Sequence, residues 1–147
     1  MCKILFVCHG NICRSPMAEF ILKDLLQKQG LNWEVSSAAT STEEIGNPVY
    51  PPARQKLAEH HISCAGKTAR QITAQDYAYY DLIICMDKNN VRNLRYLLGE
   101  DTASKIHLLL DFTTQKGEVA DPWYTGDFQT AFEDILDGCK GLLNTLR

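Results

Sequence analysis

The sequence predicts one α/β domain over residues 1–147, with a central parallel sheet and helices on both of its faces. Apolar segments of strand length alternate along the chain with segments of helical periodicity, and no internal repeat or linker interrupts them. Strands that are joined by helices form right-handed crossovers, which make a sheet parallel and cover both of its faces. Such a fold binds its ligands at the carboxyl ends of the strands.

In the N-terminal half, two strands and two helices are expected. Residues 4–7 form a short apolar segment that predicts the first strand. Ser15 and Pro16 then have the residue types of a helix N-cap and a first helical position. A weaker second strand is expected at 34–37 and, after an irregular segment rich in proline, a helix at 53–60.

In the C-terminal half, the same alternation continues. A short helix is expected at 74–79, followed by a buried strand at 81–86. Asp87 is expected to cap the next helix, and a fourth strand is expected at 105–110. After a loop with Gly, Pro and aromatic residues, apolar side chains recur at helical spacing from Phe128 to the end of the chain.

Length, composition and charge exclude several classes of protein. The chain has 147 residues, 45% of them hydrophobic and 22% charged, which suits a globular domain and excludes a disordered or low-complexity chain. Fifteen Lys and Arg against eighteen Asp and Glu give a net charge of −3, so we expect neither a nucleic-acid partner nor a membrane partner. The longest apolar segments have about five residues, far fewer than the ~20 that a membrane span needs.

The six cysteines are expected to be free thiols. Nothing at the N-terminus resembles a secretory signal, so we expect a cytoplasmic protein in a reducing environment. Cys85, in a predicted strand, and Cys139, on the apolar face of the last helix, are interpreted as core residues. No CxxC pair is present, and His60, His61 and Cys64 form only a loose cluster. We therefore expect no metal ion and no cofactor.

Residues 8–15, C-H-G-N-I-C-R-S, carry the clearest chemical signal because they join the end of a strand to the start of a helix. Backbone N–H groups of such a loop form a cradle for a tetrahedral dianion. Arg14 offers a planar fork to two oxyanions, and the same positive field favours the thiolate form of Cys8. Gly10 permits a sharp backbone turn, and Asn11 tolerates left-handed geometry. A nucleophile beneath an anion cradle predicts covalent phosphoryl transfer.

A proton donor is also needed, because a phenolate leaving group (pKa about 10) departs slowly near neutral pH without one. Five acidic residues are expected near the carboxyl ends of the strands: Glu43, Glu44, Asp87, Asp111 and Asp121. Asp87 and Asp111 have structural uses at a helix start and a strand end. Asp121 precedes a stiffening proline and lies beside Trp123 and Tyr124, whose apolar rings favour a protonated carboxyl. Asp121 is therefore the preferred acid.

The segment V-C-H-G-N-I-C-R-S-P-M-A-E at residues 7–19 resembles the signature of the low-molecular-weight protein tyrosine phosphatases. Further matches follow in order over almost the whole chain: S-S-A-A-T at 36–40, A-R-Q-I-T at 69–73, I-C-M-D at 84–87 and D-P-W-Y at 121–124. The resemblance implies a four-stranded parallel sheet in the order 2-1-3-4. It implies hydrolysis of phosphotyrosine through a phosphocysteine intermediate, without a metal.

The resemblance also implies a role for each matching residue. Cys8 corresponds to the nucleophile, Arg14 to the phosphate-binding arginine, Ser15 to the serine that stabilises the thiolate and Asp121 to the general acid and base. Residues expected to line the substrate site or to hold the phosphate loop in shape are His9, Gly10, Asn11, Ile12, Cys13, Ser15, Ser37, Trp123 and Tyr124. The expected partners are a phosphotyrosine protein or peptide and the phosphate ion, and the expected state is a monomer or weak dimer.

Four residues of the pattern bear on specificity and regulation. Glu43 stands where many relatives have an aromatic pocket residue, and Lys67 stands where several have histidine. The family's preference among peptides is therefore not transferred to this chain. We expect Glu43 to disfavour peptides with acidic residues next to the phosphotyrosine. Ile12 suits an aromatic ring better than a guanidinium, since phosphoarginine-specific members tend to have threonine there. The resemblance further suggests that Cys13 forms a reversible disulfide with the nucleophile under peroxide.

Three alternative functions remain open from sequence. An arsenate reductase of the same fold would use a second cysteine pair; Cys85 matches its first position, but Val91 and Arg92 occupy the region of its partner. A phosphopeptide-binding module would keep Arg14 and lose the nucleophile or the acid. A rhodanese-type sulfur carrier would not need Asp121.

Overall fold

A computed structural model describes residues 2–147 and contains a four-stranded parallel sheet in the order β2-β1-β3-β4. The strands are β1 (Lys3–Cys8), β2 (Glu34–Ala39), β3 (Leu82–Cys85) and β4 (Ile106–Leu108). The predicted fold class and strand order are thereby confirmed. Between residues 2 and 147, no helix has the length and apolar character needed to cross a membrane.

Helices cover both faces of this sheet. They are α1 (Arg14–Lys28), α2 (Pro51–Glu59), α3 (Ala74–Tyr79), α4 (Lys88–Leu98), α5 (Pro122–Thr125) and α6 (Phe128–Leu146), with a 3₁₀ helix at Leu109–Phe112. Successive side chains of a strand point to opposite faces. Ile4 and Phe6 of β1 accordingly pack with α1, α2 and α6, whereas Leu5 and Val7 pack with α3 and α4.

The strand register brings the candidate loops together at one edge of the sheet. Cys8, the last residue of β1, is level with Ala39 of β2, and Val7 is level with Cys85 of β3. The chain segments that follow β1, β2 and β3 therefore leave the sheet side by side. This edge is the one at which a parallel sheet binds its ligands.

Two predicted boundaries were wrong for physical reasons. The first helix begins at Arg14 with Cys13 as its N-cap, and Ser15 does not cap it, since the Ser15 hydroxyl contacts the Cys8 sulfur instead. The fourth strand ends at Leu108 rather than 110, because the chain turns into the 3₁₀ helix that buries Leu109 against Gly138 of α6. An apolar segment fits a buried strand and a buried turn equally well.

Candidate active site

The Cys8 sulfur lies at the floor of a cavity of about 430 Å³ and is surrounded by hydrogen-bond donors. The backbone N–H groups of Asn11 and Ser15 each place nitrogen 3.4 Å from Sγ, and Ser15 Oγ lies 3.0 Å from it. The cavity is lined by Cys8, His9, Gly10, Ile12, Cys13, Arg14, Glu43, Glu44, Asp121, Trp123 and Tyr124. Donors that converge on one sulfur stabilise its anionic form.

Asn11 holds the loop in this shape. Its φ of 59° is left-handed, as predicted, whereas Gly10 is not among the residues with positive φ. The chain bends at both residues, so the turn expected at Gly10 is present and continues through Asn11. Asn11 Nδ2 donates to Ser15 Oγ at 2.8 Å and to Ser37 Oγ at 2.9 Å, while Asn11 Oδ1 accepts the backbone N–H of Arg70 at 3.2 Å. Three partners, Ser15, Ser37 and Arg70, thus hold Asn11 and the loop in place.

Arg14 is buried beside the sulfur, with 2% of its side chain exposed, and its guanidinium is held by three acceptors. Nη1 donates to Asp87 Oδ2 at 2.7 Å and to the Val119 carbonyl at 2.9 Å, and Nη2 donates to Asp121 Oδ2 at 3.3 Å. Burial opposes the charge, but Cys8 and the two carboxylates outweigh it and raise the pKa of Arg14 above its ordinary value. The guanidinium is therefore a permanent cation at the cavity floor.

Asp87 has a second role that the sequence did not suggest. It caps α4 as predicted, with Oδ1 accepting the backbone N–H of Asn90 at 2.8 Å. Its other oxygen binds Arg14, so one carboxylate joins the start of a helix to the candidate phosphate-binding cation. No sequence signal identifies this pair, because the two residues are 73 positions apart.

Asp121 lies on the rim of the cavity. It caps the short helix α5, its Oδ1 accepting the backbone N–H of Trp123 at 3.0 Å. The predicted apolar surroundings are not what the structure contains: Trp123 is 52% exposed and Tyr124 83% exposed, and the closest polar partner of the free oxygen is Arg14. One oxygen of Asp121 is thus held by the start of α5 and the other by Arg14.

Aromatic and acidic side chains form the mouth of the cavity. The Trp123 ring packs on Tyr50, with ring centroids 4.8 Å apart, so one wall is aromatic. Ile12 lines the cavity from the loop side. On the other side, His9 Nε2 lies 2.5 Å from Glu43 Oε2, and Glu44 lines the cavity next to it. The mouth thus combines a flat apolar wall with exposed negative charge.

Beneath the loop lies a buried charged group that the sequence interpretation missed. Glu19 of α1 is 4% exposed, and its Oε1 accepts the Ser37 hydroxyl at 2.6 Å. Lys23 donates to the other oxygen at 2.6 Å, and Lys67 Nζ lies 3.6 Å from Oε1. Burial lowers the pKa of Lys67, an effect that Glu19 partly offsets. Two signals could have indicated Glu19: it is an acid on the apolar part of a helix, and it is the last residue of the signature segment 7–19.

The other cysteines differ from Cys8 in their surroundings. Cys13 is 5% exposed, and burial followed by the negative field of Cys8 raises its pKa to about 12. Cys85 and Cys139 are fully buried, and desolvation raises the pKa of both thiols well above the ordinary range. All six cysteines are free. Among residues 2–147, no three His, Cys, Asp or Glu side chains are grouped as metal ligands would be.

Comparison with known proteins identifies the family to which this arrangement belongs. The family model described as low molecular weight phosphotyrosine protein phosphatase matches residues 3–147. The chain is 41% identical to the low molecular weight protein-tyrosine-phosphatase YfkJ of Bacillus subtilis over 151 aligned positions, covering 100% of this chain and 97% of that protein. It is 40% identical to the human low molecular weight phosphotyrosine protein phosphatase, covering 96% and 93%.

Solved structures agree with the sequence matches. The crystal structure of YfkJ superimposes with a TM-score of 0.96, covering 99% of this chain and 94% of that one. The Drosophila arginine phosphatase DARP, 34% identical, superimposes with a TM-score of 0.90, covering 99% and 98%. Sequence identity, coverage and fold agree from one end of the described chain to the other, and the chain therefore belongs to the low molecular weight phosphotyrosine protein phosphatase family.

Proposed function

We propose that this protein hydrolyses phosphotyrosine in proteins or peptides through a covalent phosphocysteine intermediate. The observation that carries the proposal is the convergence of two backbone N–H groups and the Ser15 hydroxyl on Cys8 Sγ at the floor of a cavity, with the buried Arg14 guanidinium beside it. This arrangement can hold a sulfur anion and a phosphate dianion together, because amide dipoles and a permanent cation offset their repulsion. Asp121 is the one acidic side chain of the cavity that contacts Arg14.

In the first step, Cys8 Sγ attacks phosphorus in line with the tyrosine oxygen. The S–P bond forms as the P–O bond to the phenol breaks, and Asp121 gives its proton to the departing oxygen. Arg14 and the loop N–H groups bind the equatorial phosphoryl oxygens, on which negative charge is spread. The step needs Asp121 protonated when substrate is bound.

In the second step, water replaces the sulfur. Asp121, now a carboxylate, accepts a proton from the water as its oxygen attacks phosphorus, the S–P bond breaks and phosphate leaves. Cys8 returns to the thiolate form, which the Ser15 hydroxyl and the two backbone N–H groups stabilise. Every group used in the cycle belongs to a single chain, so a monomer is sufficient for turnover.

The shape of the cavity supports an aromatic substrate. Trp123, which packs on Tyr50, lines the cavity and supplies a face on which a phenyl ring can pack, and Ile12 supplies an apolar contact from the loop. DARP is named an arginine phosphatase, which makes phosphoarginine the competing substrate to test. Ile12 offers no polar atom to a guanidinium, which supports phosphotyrosine.

The structure does not support a disulfide relay of the arsenate reductase type. Such a relay needs a second cysteine that can move between thiol partners, but Cys85 lies within β3 and is completely buried. Its pKa is raised by desolvation, so the thiolate needed for exchange is disfavoured.

One experiment separates these functions. Phosphate release from a phosphotyrosine peptide and from a phosphoarginine peptide is measured with wild type and Cys8→Ser, with a metal chelator present and without added reductant. We expect wild type to release phosphate from phosphotyrosine and Cys8→Ser to release none while still binding phosphate. Release by Cys8→Ser, a metal requirement, or a strong preference for phosphoarginine would contradict the proposal.

A further inference from the structure

We propose that a groove between α4 and the edge strand β4 is a docking site for an extended, acidic segment of a protein partner. The groove has a volume of about 430 Å³ and shares no lining residue with the cavity at Cys8. Its lining residues are Lys88, Val91, Arg92, Arg95, Ile106, His107, Leu108 and Asp111. Docking at this second surface does not depend on the proposed function.

One face of α4 gives the groove its positive charge. Lys88, Arg92 and Arg95 lie at helical spacing on that face and are all exposed. None of the three forms a salt bridge with residues 2–147, and Arg92 Nη1 donates to a neutral partner, Asn89 Oδ1, at 3.0 Å. Asp111 is the one carboxylate in the lining. In a chain with a net charge of −3, the groove is thus a local positive surface, complementary to an acidic ligand.

β4 forms the opposite wall of the groove, and one of its edges is unpaired. The strand pairs with β3, and no other strand within residues 2–147 lies on its second side. The Lys105 carbonyl accepts the Ile83 N–H at 2.9 Å, so by alternation the Ile106 carbonyl and the Leu108 N–H point away from β3. Neither of these two groups has a hydrogen-bond partner in the described chain. An added strand pairs with groups of this kind.

The groove fits a short extended segment in length and in surface. Between Lys88 and Arg95, α4 advances by about 10 Å, the length of about three residues of extended chain. Val91, Ile106 and Leu108 are half-buried and form an apolar floor. A bound segment can therefore pair its backbone with β4, direct acidic side chains to the cations of α4 and cover the floor with the methylene groups of those side chains.

A chain of carboxylates fits the groove better than one small anion. The three cations are spread over about two turns of α4 instead of converging on one point. Lys88, at one end of the row, directly follows Asp87, the carboxylate that binds Arg14. The groove therefore begins at the edge of the sheet that carries the cavity, and a docked partner lies beside the candidate active site.

The test is direct binding of a short fluorescein-labelled peptide of alternating Glu and Thr, followed by fluorescence anisotropy at low salt. Arg92→Glu reverses one charge of the groove, and Arg54→Glu, at an exposed arginine of α2 outside the groove, is the matched control. We expect saturable binding by wild type, a Kd about three- to tenfold higher for Arg92→Glu and an unchanged Kd for Arg54→Glu. Arg95→Glu should raise the Kd as Arg92→Glu does, and a peptide of alternating Lys and Thr should not bind.

The same acidic peptide with methyl groups on its central backbone nitrogens tests pairing with β4. It keeps every charge but cannot donate to the Ile106 carbonyl, so we expect its Kd to be about tenfold higher. Equal binding of the two peptides, or equal weakening by Arg92→Glu and Arg54→Glu, overturns the inference.

Three further results would also overturn it. One is the absence of saturable binding, and another is displacement of the peptide by inorganic phosphate beyond that caused by chloride at equal ionic strength. The third is self-association of wild type that Arg92→Glu abolishes, since the groove would then hold a second copy of this chain. No phosphotyrosine is present in the binding assay, so a wild type that fails to hydrolyse phosphotyrosine would contradict the proposed function and leave this result unchanged.

Discussion

Replacing Asp121 by Asn separates proton transfer from the structural role of this residue. Asp121 Oδ1 caps α5 by accepting the Trp123 N–H at 3.0 Å, and Oδ2 makes the longer, 3.3 Å contact with Arg14. Asn is as good an N-cap as Asp, so its carbonyl oxygen keeps the cap. Only the contact to Arg14 and the acidic proton are lost. We expect the free energy of unfolding to change by less than about 1 kcal/mol.

The kinetic effect is expected to depend on the leaving group. General acid catalysis contributes about 10²- to 10⁴-fold where the leaving group needs a proton, as the phenol of tyrosine does. For Asp121→Asn, kcat/KM with a phosphotyrosine peptide should fall by about 10²- to 10³-fold, and with p-nitrophenyl phosphate by less than about tenfold. Steady-state assays give kcat/KM, which depends only on the steps up to formation of the phosphocysteine. The later role of Asp121 as a base therefore does not affect the measured value.

Asp127→Asn is the matched control for this experiment. Asp127 caps α6, where its Oδ1 accepts the backbone N–H of Thr130 at 2.9 Å, and it is not among the partners of Arg14. We expect both substrates to be hydrolysed by this variant at wild-type rates. Equal losses of kcat/KM on the two substrates in Asp121→Asn would refute the assignment of Asp121 as the acid.

Three other substitutions have defined outcomes. Arg14→Lys should lower steady-state kcat/KM by about 10²-fold or more, because one ammonium cannot serve Asp87, Asp121 and phosphate together; near-wild-type activity would contradict this. After treatment with peroxide and then with a thiol reductant, Cys13→Ser should recover less activity than wild type. Equal recovery would exclude a protective disulfide between Cys8 and Cys13. Glu43→Gln should raise kcat/KM for acidic-flanked peptides about 2- to 5-fold at low salt and leave p-nitrophenyl phosphate unchanged; the same gain on both substrates would exclude charge selection at the mouth.

The phosphate loop could be predicted from sequence because its parts are contiguous. Residues 8–15 supply the sulfur, the left-handed Asn11 and the guanidinium within one short segment. The hydrophobic pattern on either side of this segment shows that it joins a strand to a helix. The parallel sheet followed from the alternating periodicities, and its strand order followed from the family resemblance. Local chemistry and short-range pattern were enough for the fold class and for the floor of the cavity.

The supporting contacts could not be predicted, because they join distant parts of the chain. Asp87 pairs with Arg14 across 73 positions, and Ser37 with Glu19 across 18. From sequence alone, an acidic residue on the apolar face of a helix gives no indication of a role until its partners are known. The surroundings of Asp121 were inferred from neighbours in sequence, but the neighbouring rings turn outward and a distant arginine is the closer partner.

The contact between Arg14 and Asp121 has a consequence for inhibitor design. Part of the guanidinium is bound by a carboxylate that belongs to the chain itself. An incoming anion gains only the difference between its own attraction to Arg14 and the attraction that it displaces. A singly charged head group, such as a carboxylate, replaces the Asp121 carboxylate with a group of the same charge and gains little binding free energy. Screening libraries for this pocket should therefore start from doubly charged phosphonates carrying an aryl group.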